Sequence, residues 1–271
     1  MDIPQLIIGT FQNKNYSELY QVVSAAVEAG FTGFDTAPSY ETEAQLGKAI
    51  NEIAVHKGLK RTDFYISDKV DGWQMRKKNG NIESYVNDAI NKMNIEYLDL
   101  LLIHWPIPEY LSQTWQSMQK LKSIGTVKEI GICNVRVRHL KEWEKQGITP
   151  KVIQIERHPL RICESEMIFC KKHNIKILSY SPLCRMHPDI KNSEALIQIA
   201  KKYNKNIGQV VLRWQIDTGC HPVFMSKKPT RITENANIMD FSLEASEIEQ
   251  INQLNKDYKI FLESWGCPGS V

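Results

Sequence analysis

Short apolar runs alternate with longer amphipathic stretches along the chain, and this alternation predicts the secondary structure. Runs rich in β-branched and large apolar residues predict eight strands, at 6–9, 31–36, 64–69, 98–104, 127–133, 151–156, 176–181 and 222–226. Apolar residues recurring at helical spacing predict helices at 17–29, 43–57, 82–93, 112–124, 137–146, 164–173, 192–203, 207–218, 230–238 and 245–256. In the first helix we expect Ser17 to be the N-cap and Gly30 to end the last turn.

The order of these elements limits the choice of fold. Strands that alternate with helices are joined by crossovers and therefore run parallel, in either an open doubly wound sheet or a closed barrel. The repeat length is regular, and no G-x-G-x-x-G motif follows any strand, so the open dinucleotide-binding fold is disfavoured. We expect an α/β fold: a (β/α)₈ TIM barrel that forms a single domain over residues 1–271, with extra helices near the C-terminus.

Composition and charge exclude several classes of partner. The net charge of +3 is mild and the basic residues are dispersed, so no nucleic-acid partner is expected. No apolar run is long enough to cross a bilayer, so no membrane partner is expected either. The N-terminus lacks a basic region followed by a cleavage site, and the six cysteines form no C-x-x-C pair. We therefore expect a cytoplasmic protein with reduced thiols and no bound metal.

Polar residues end most of the predicted strands, and in such a barrel the carboxyl ends of the strands carry the active site. Taken singly, each polar residue is explained as a solvated strand terminus. Together they would place a carboxylate, an ammonium, an imidazole and two amides in one pocket. The residues concerned are Asp35, Lys69, His104, Asn134, Gln154, Glu156, Tyr180, Ser181 and Ser226.

The candidate chemistry centres on Tyr40, which follows Asp35 by five residues. An unperturbed phenol has a pKa of about 10, which is poor for proton exchange at neutral pH. A neighbouring Lys69 ammonium is expected to lower the pKa of Tyr40, with Asp35 orienting the lysine and His104 hydrogen bonding nearby. Such a phenol suits carbonyl reduction, because hydride addition leaves an alkoxide that must be protonated. No H-x-H pair, carboxylate cluster or G-x-S-x-G motif points to metal or serine chemistry.

Nearly the whole chain resembles the aldo-keto reductase family, and its length is similar to that of the short, microbial-type members. The stretch GFDTAPSYETEAQLGKAI is similar to the family segment that carries the aspartate and the tyrosine, here Asp35 and Tyr40. FYISDKV and YLDLLLIHWP are similar to the segments with the lysine and the histidine, here Lys69 and His104. GICN, QIERHP, SYSPL and SKKPTRITEN resemble later cofactor-binding segments in the family order.

The resemblance implies roles for individual residues. Tyr40 becomes the general acid/base, Lys69 and Asp35 its tuners, and His104 the group that orients the substrate carbonyl. Asn134 and Gln154 would hold the nicotinamide carboxamide. The implied cofactor-binding set is Asn134, Gln154, Tyr180, Ser181, Leu183, Ser226, Lys227, Arg231, Glu234 and Asn235, in which the Tyr180 ring would stack on the nicotinamide. The candidate substrate pocket is lined by Phe11, Trp73, Trp105 and Trp265, although Trp105 is equally explained by packing on the barrel rim.

Two departures from the family pattern affect the cofactor. Met225 stands where the family has a lysine that contacts the adenosine 2′-phosphate. Lys227 or Lys228 is a candidate substitute, and Arg231 remains for bidentate phosphate contact. NADPH is therefore the expected cofactor and NADH the alternative. Cys133 stands where serine is usual, just before Asn134.

The sequence thus predicts a monomeric oxidoreductase that transfers a hydride between NADPH and a small aldehyde or ketone. One alternative is a redox-sensing or scaffold protein that binds the cofactor with little turnover. Another is a metal-assisted barrel hydrolase, which the spacing of possible ligands supports poorly.

Overall fold

Eight parallel strands close into a barrel in the computed structural model, which describes residues 2–262. Neighbours in the barrel follow chain order, and the first strand also pairs with the last. The barrel fold predicted from the alternation of elements is confirmed, and all eight predicted strands are present within a few residues. They are β1 Ile7–Gly9, β2 Gly33–Asp35, β3 Tyr65–Val70, β4 Leu98–Ile103, β5 Val127–Cys133, β6 Val152–Glu156, β7 Lys176–Tyr180 and β8 Cys220–Phe224.

Helices surround the barrel, and all ten predicted helices are present among the described residues. Two further helices, Gly72–Lys77 and Pro188–Lys191, were not predicted; with six and four residues they are too short for a repeating apolar pattern. The helices are α1 Tyr16–Glu28, α2 Glu43–Lys57, α3 Gly72–Lys77, α4 Glu83–Met93, α5 Pro108–Ser123, α6 Val137–Glu144, α7 Glu164–His173, α8 Pro188–Lys191, α9 Glu194–Tyr203, α10 Ile207–Asp217, α11 Pro229–Ala236 and α12 Ala245–Asn252.

The N-cap of α1 differs from the prediction. Asn15 rather than Ser17 caps this helix, because its side-chain oxygen accepts a hydrogen bond from the backbone N–H of Glu18 at 3.1 Å. Asn15 keeps an extended backbone, as a capping residue does, while Ser17 is already inside the helix. Gly30 follows the last turn with φ of +84°, a conformation that glycine adopts without strain.

The apolar core has an inner and an outer layer on the two faces of the strands. The barrel interior is filled by a cluster that contains Ile7, Leu100, Leu102, Val152 and Leu178. A larger cluster lies between the strands and the helices, where side chains such as those of Ile8 and Phe34 are fully buried. This division follows from the two-residue period of a strand.

The strand register brings the first polar side chains of the site together. Asp35 pairs with Ser67 on the neighbouring strand, two residues before Lys69. Since alternate residues of a strand face the same side, Asp35, Ser67 and Lys69 share the inner face at the carboxyl end of the barrel. Asp68, between the latter two, lies on the opposite face.

None of the helices within residues 2–262 has both the length and the apolar character needed to cross a bilayer.

Candidate active site

A buried ion pair lies at the centre of the site. The Lys69 ammonium donates to Asp35 Oδ1 at 2.5 Å and to the carbonyl oxygen of Thr36 at 2.7 Å. Its side chain is fully buried. Burial by itself lowers the pKa of Lys69, but the negative charge of Asp35 outweighs it and holds the pKa above the usual value. The lysine is therefore a fixed cation at neutral pH.

The second oxygen of the Asp35 carboxylate is also saturated. Asp35 Oδ2 accepts from Ser67 Oγ at 2.8 Å and from Gln154 Nε2 at 2.9 Å. Gln154 comes from β6, so this carboxylate connects β2, β3 and β6 across the barrel interior. The Cys133 thiol lies 3.9 Å from Gln154 Oε1. The Gln154 amide, which is predicted to hold the nicotinamide carboxamide, therefore lies against the Asp35 carboxylate.

Tyr40 lies in a single 3₁₀ turn, Pro38–Tyr40, which follows β2. The phenol is half-buried, and its oxygen lies 3.4 Å from His104 Nε2. Lys69 Nζ is 4.9 Å from the centre of the Tyr40 ring. The structure therefore brings Asp35, Tyr40, Lys69 and His104 together, in the arrangement that the strand ends predicted.

The Lys69 charge acts on the Tyr40 pKa in the predicted, lowering direction, but the net shift is upward. Burial raises the pKa of Tyr40 above its usual value, and the Lys69 charge, which acts in the lowering direction, only partly offsets it. The sequence shows which charged residues surround Tyr40, but it does not show how deeply the phenol is buried. The phenol is neutral at neutral pH and has a proton to give.

Asn134 and Tyr180 meet at the β5 and β7 ends. The Tyr180 hydroxyl donates to Asn134 Oδ1 at 2.7 Å, and Asn134 Nδ2 donates to the carbonyl oxygen of His104 at 2.9 Å. Tyr180 is half-buried, and burial raises its pKa. Ser181 follows with φ of +50°, and Leu183 begins the next turn. A solvent-open depression adjoins Asn134 and Tyr180.

The residues predicted for the adenosine end lie apart from the catalytic group, at and after the end of β8. The hydroxyl of Ser226 is buried and accepts from the backbone N–H of Lys228 at 3.1 Å. Lys227 and Arg231 are exposed on either side of the first residue of α11. Glu234 is exposed and Asn235 is buried further along α11.

The four aromatic candidates for the substrate pocket have different positions. Phe11 contacts Tyr40 edge-on, with ring centres 5.1 Å apart. Trp105 is half-buried directly after His104. Trp73 is half-exposed and packs edge-on against Tyr85 of α4, with ring centres 5.3 Å apart. Trp265 lies outside the described residues.

Sequence reasoning missed an aromatic residue that follows α12 and returns to the barrel mouth. The ring of Phe261 lies 6.2 Å from that of Phe11 and 5.8 Å from that of Tyr180. The backbone N–H groups of Ile260 and Phe261 donate to Glu156 at 2.6 and 3.0 Å. No periodic pattern marks these tail residues, although Glu156 was visible as a polar strand end.

Sequence reasoning also missed Asp71, which lies one residue beyond β3. Its Oδ1 is 2.6 Å from His104 Nδ1. An acidic residue directly after a strand was the available signal, but its histidine partner comes from the next strand. Within residues 2–262, no three His, Cys, Asp or Glu side chains are grouped so that they could hold a metal ion.

Comparison with known proteins agrees with this geometry. A statistical model of the Aldo/keto reductase family matches residues 5–256. A glyoxal reductase of Bacillus subtilis (strain 168) is 35% identical over 262 residues, covering 96% of this chain and 92% of that protein. A methylglyoxal reductase of Escherichia coli (strain K12) is 31% identical over 261 residues, covering 95% of this chain and 92% of that protein. The crystal structure of a Bombyx mori aldo-keto reductase in complex with NADP has a TM-score of 0.89 at 29% identity, covering 97% of this chain and 93% of that one.

The closed barrel, with its polar group at the carboxyl ends of the strands, defines the class of protein as an α/β-barrel enzyme. The chain belongs to the Aldo/keto reductase family. It is accordingly an NAD(P)H-dependent oxidoreductase that acts on small carbonyl compounds.

The contact between Glu156 and the tail gives a testable prediction. Hydrogen bonds from His158 and from two backbone amides hold the pKa of Glu156 below its usual range, although burial acts to raise it. A glutamine at this position has one acceptor oxygen, and its NH₂ group cannot accept from a backbone N–H. In Glu156→Gln we expect the amides of Ile260 and Phe261 to exchange with solvent deuterium at least about tenfold faster.

Glu249→Gln is the matched control, because Glu249 is exposed on α12. Its exchange rates at Ile260 and Phe261 are expected to equal those of the parent chain. Equal rates in Glu156→Gln as well would show that the carboxylate does not hold the tail.

Proposed function

We propose that the chain reduces small aldehydes and ketones with NADPH, that 2-oxoaldehydes such as methylglyoxal are among its substrates, and that Tyr40 is the proton donor. The observation that carries the proposal is the position of the Tyr40 phenol, whose ring centre lies 4.9 Å from the Lys69 ammonium and whose oxygen lies 3.4 Å from His104 Nε2. The similarity to glyoxal and methylglyoxal reductases supports the substrate class. A mouth bordered by Phe11, Tyr40 and Phe261 favours compact substrates.

When bound, NADPH would supply the hydride for the carbonyl carbon. The carbonyl oxygen then becomes an alkoxide, and the Tyr40 hydroxyl protonates it. Lys69 stabilises the phenolate that this transfer leaves, because its ammonium is fixed by Asp35 and lies 4.9 Å from the ring centre. His104 Nε2 lies beside the same hydroxyl and orients the substrate oxygen.

The donor set at the cofactor site fits a dinucleotide. Lys227, Lys228 and Arg231 are exposed at the start of α11, and none of them is ion-paired with an acidic side chain of the described chain. Cations without partners beside a helix N-terminus suit phosphate groups. We assign the adenosine phosphate end to Ser226, Lys227, Arg231, Glu234 and Asn235, and the nicotinamide end to Asn134, Gln154, Tyr180, Ser181 and Leu183.

The preference for NADPH over NADH is part of the proposal. Met225, 38% exposed, supplies no charge where the family has a lysine. The three neighbouring cations compensate for this loss, and Arg231 has the planar guanidinium that pairs bidentately with phosphate. NADH is the weaker cofactor on this account.

We also propose that the chain acts as a monomer in the cytoplasm. Its exposed large apolar side chains belong to separate elements, including Val55 on α2, Ile168 on α7 and Ile197 on α9. Five cysteines of the described chain are free thiols, which suits a reducing compartment.

The direct test of the proton donor is Tyr40→Phe, assayed as NADPH oxidation in the presence of methylglyoxal. Loss of the hydroxyl removes the acid, so we expect kcat to fall by about 100-fold or more. Cofactor affinity, measured by quenching of intrinsic fluorescence, should change little. Tyr20→Phe, on helix α1, is the control and should keep full activity.

If Tyr40→Phe kept most of the activity of the parent chain, Tyr40 would not be the proton donor. Tight cofactor binding by the parent chain, with no reduction across a broad panel of carbonyls, would instead favour the redox-sensing or scaffold alternative.

The phosphate assignment is tested by Arg231→Leu. A charge-assisted hydrogen bond contributes about 1.5–3 kcal/mol, so we expect KM for NADPH to rise at least about tenfold. KM for NADH should change by less than about threefold, since NADH lacks the 2′-phosphate. Lys171→Ala, which removes an exposed charge on α7, should alter neither value. An equal rise in KM for NADPH and for NADH would contradict the assignment of Arg231 to the 2′-phosphate.

A further inference from the structure

Asp68 is a buried carboxyl group that the proposed mechanism does not use. It lies between Ser67 and Lys69 on β3, on the outer face of the strand, and is 1% exposed. Within the described chain its carboxyl group accepts one hydrogen bond, from the backbone N–H of Lys69 to Oδ1 at 2.8 Å, and forms no ion pair. The Lys69 ammonium is directed elsewhere, because it donates to Asp35 and to the Thr36 carbonyl.

A second buried carboxyl group, that of Glu43, lies within electrostatic range of Asp68. Glu43 is the first residue of α2 and is 5% exposed. Thr42, which precedes it, is fixed through its hydroxyl, which lies 2.7 Å from that of Thr10 and 2.9 Å from that of Thr36. The start of α2, and with it Glu43, is therefore held at the ends of the strands.

The charges around these two carboxyl groups do not neutralise both of them. Lys92 on α4 donates to Glu43 Oε2 at 3.3 Å, but the lysine side chain is 58% exposed, so solvent screens its charge. Asp35 on β2 is a third acidic group, and it acts on Asp68 in the same direction as Glu43. The side chains of α3 and α4 that line the space beside Asp68 are uncharged: Gln74, Tyr85, Val86 and Ala89.

These surroundings oppose the ionised form of Asp68. Removal of a carboxylate from water raises its pKa, and a neighbouring like charge raises it further. For Asp68, burial is the larger effect and the charge of Glu43 the next. Together they outweigh the backbone hydrogen bond and the charge of Lys69, so the pKa of Asp68 lies well above its usual value. A protonated carboxyl group needs no counter-ion, in agreement with the contacts of Asp68.

We propose that Asp68 keeps its proton at neutral pH, and that Asp68 and Glu43 form a pH-sensitive joint between the segment that carries Tyr40 and the strand that carries Lys69. Glu43 follows Tyr40 by three residues, and Asp68 immediately precedes Lys69. While Asp68 is neutral the two segments pack together. Once it is ionised, two buried carboxylates repel each other across the joint. Only the effect on turnover rests on the proposed function; the protonation of Asp68 does not.

The proton on Asp68 makes the stability of the fold fall as pH rises. The folded chain holds this proton, whereas an unfolded chain, in which the carboxyl group is solvated, releases it above about pH 4. From there up to the folded-state pKa, each pH unit raises the equilibrium constant of unfolding by up to about tenfold through this group. The contribution is fully present below the unfolded-state pKa and is lost progressively until the pH passes the folded-state pKa.

Asp68→Asn tests the effect on stability, because asparagine has a similar shape and no charge at any pH. Between pH 5 and pH 7, the equilibrium constant of unfolding of the parent chain, divided by that of Asp68→Asn, should rise about tenfold or more in urea denaturation. Asp88→Asn, an exposed change on α4, is the matched control, and the same ratio should change by less than about twofold. A constant ratio for Asp68→Asn would overturn the proposal.

A second measurement does not need the variant to fold. In the parent chain labelled with ¹³C at the aspartate carboxyl carbons, one aspartate signal should keep the chemical shift of a protonated acid at pH 7. If every aspartate signal had the shift of a carboxylate, the proposal would be wrong. In folded Asp68→Asn the signal of the protonated acid should be missing, and its persistence would place the proton on another aspartate and overturn the proposal.

The joint is tested by the pH profile of carbonyl reduction. From pH 6 to pH 9, we expect kcat of the parent chain to fall at least about threefold more than kcat of Asp68→Asn, since the variant cannot ionise and its segments stay in place. Parallel pH profiles would overturn the joint and leave the proposed function intact. If the parent chain reduced no carbonyl, the proposed function would fail, while the carbon spectra and the unfolding constants would still decide the protonation of Asp68.

Discussion

The buried pair of Lys69 and Asp35 is the constraint on which the rest of the site depends. A charge inside a barrel is tolerated only when it is paired and its remaining hydrogen-bonding capacity is satisfied. Asp35 meets this condition with Lys69, Ser67 and Gln154 at once. Removing any of the three partners would leave part of a buried carboxylate unsatisfied. The carboxyl ends of β2, β3 and β6 are therefore held in one relative position.

In the proposed mechanism, reactivity depends on the effect of this fixed charge on the Tyr40 phenol. Burial favours the neutral phenol, and Lys69 would stabilise the anion that forms when the proton leaves. A proton donor needs both properties, because a phenol that ionised too early would have no proton to transfer. The Asp71 carboxylate also links His104 to the turn of Tyr40.

The sequence predicted the parts that depend on short-range periodicity. The barrel followed from eight alternations of strand and helix, and Asp35, Lys69 and His104 followed from being polar residues at strand ends. What it could not predict depends on three-dimensional proximity. The partner of Asp71 comes from another strand, and Phe261 reaches the mouth from beyond α12. The net direction of the shift in the Tyr40 pKa depends on burial, which the order of residues does not reveal.

The most direct test of hydride transfer at this site measures the transfer of deuterium from the cofactor to the product. Methylglyoxal would be reduced with NADPH deuterated at both C4 positions, and the product alcohol examined by mass spectrometry. The account predicts one deuterium on the new carbinol carbon with the parent chain, and a rate of label transfer at least about 100-fold lower in Lys69→Met, which lacks the fixed cation. A product without deuterium, or an undiminished rate in Lys69→Met, would contradict hydride transfer at a site organised by the Lys69–Asp35 pair.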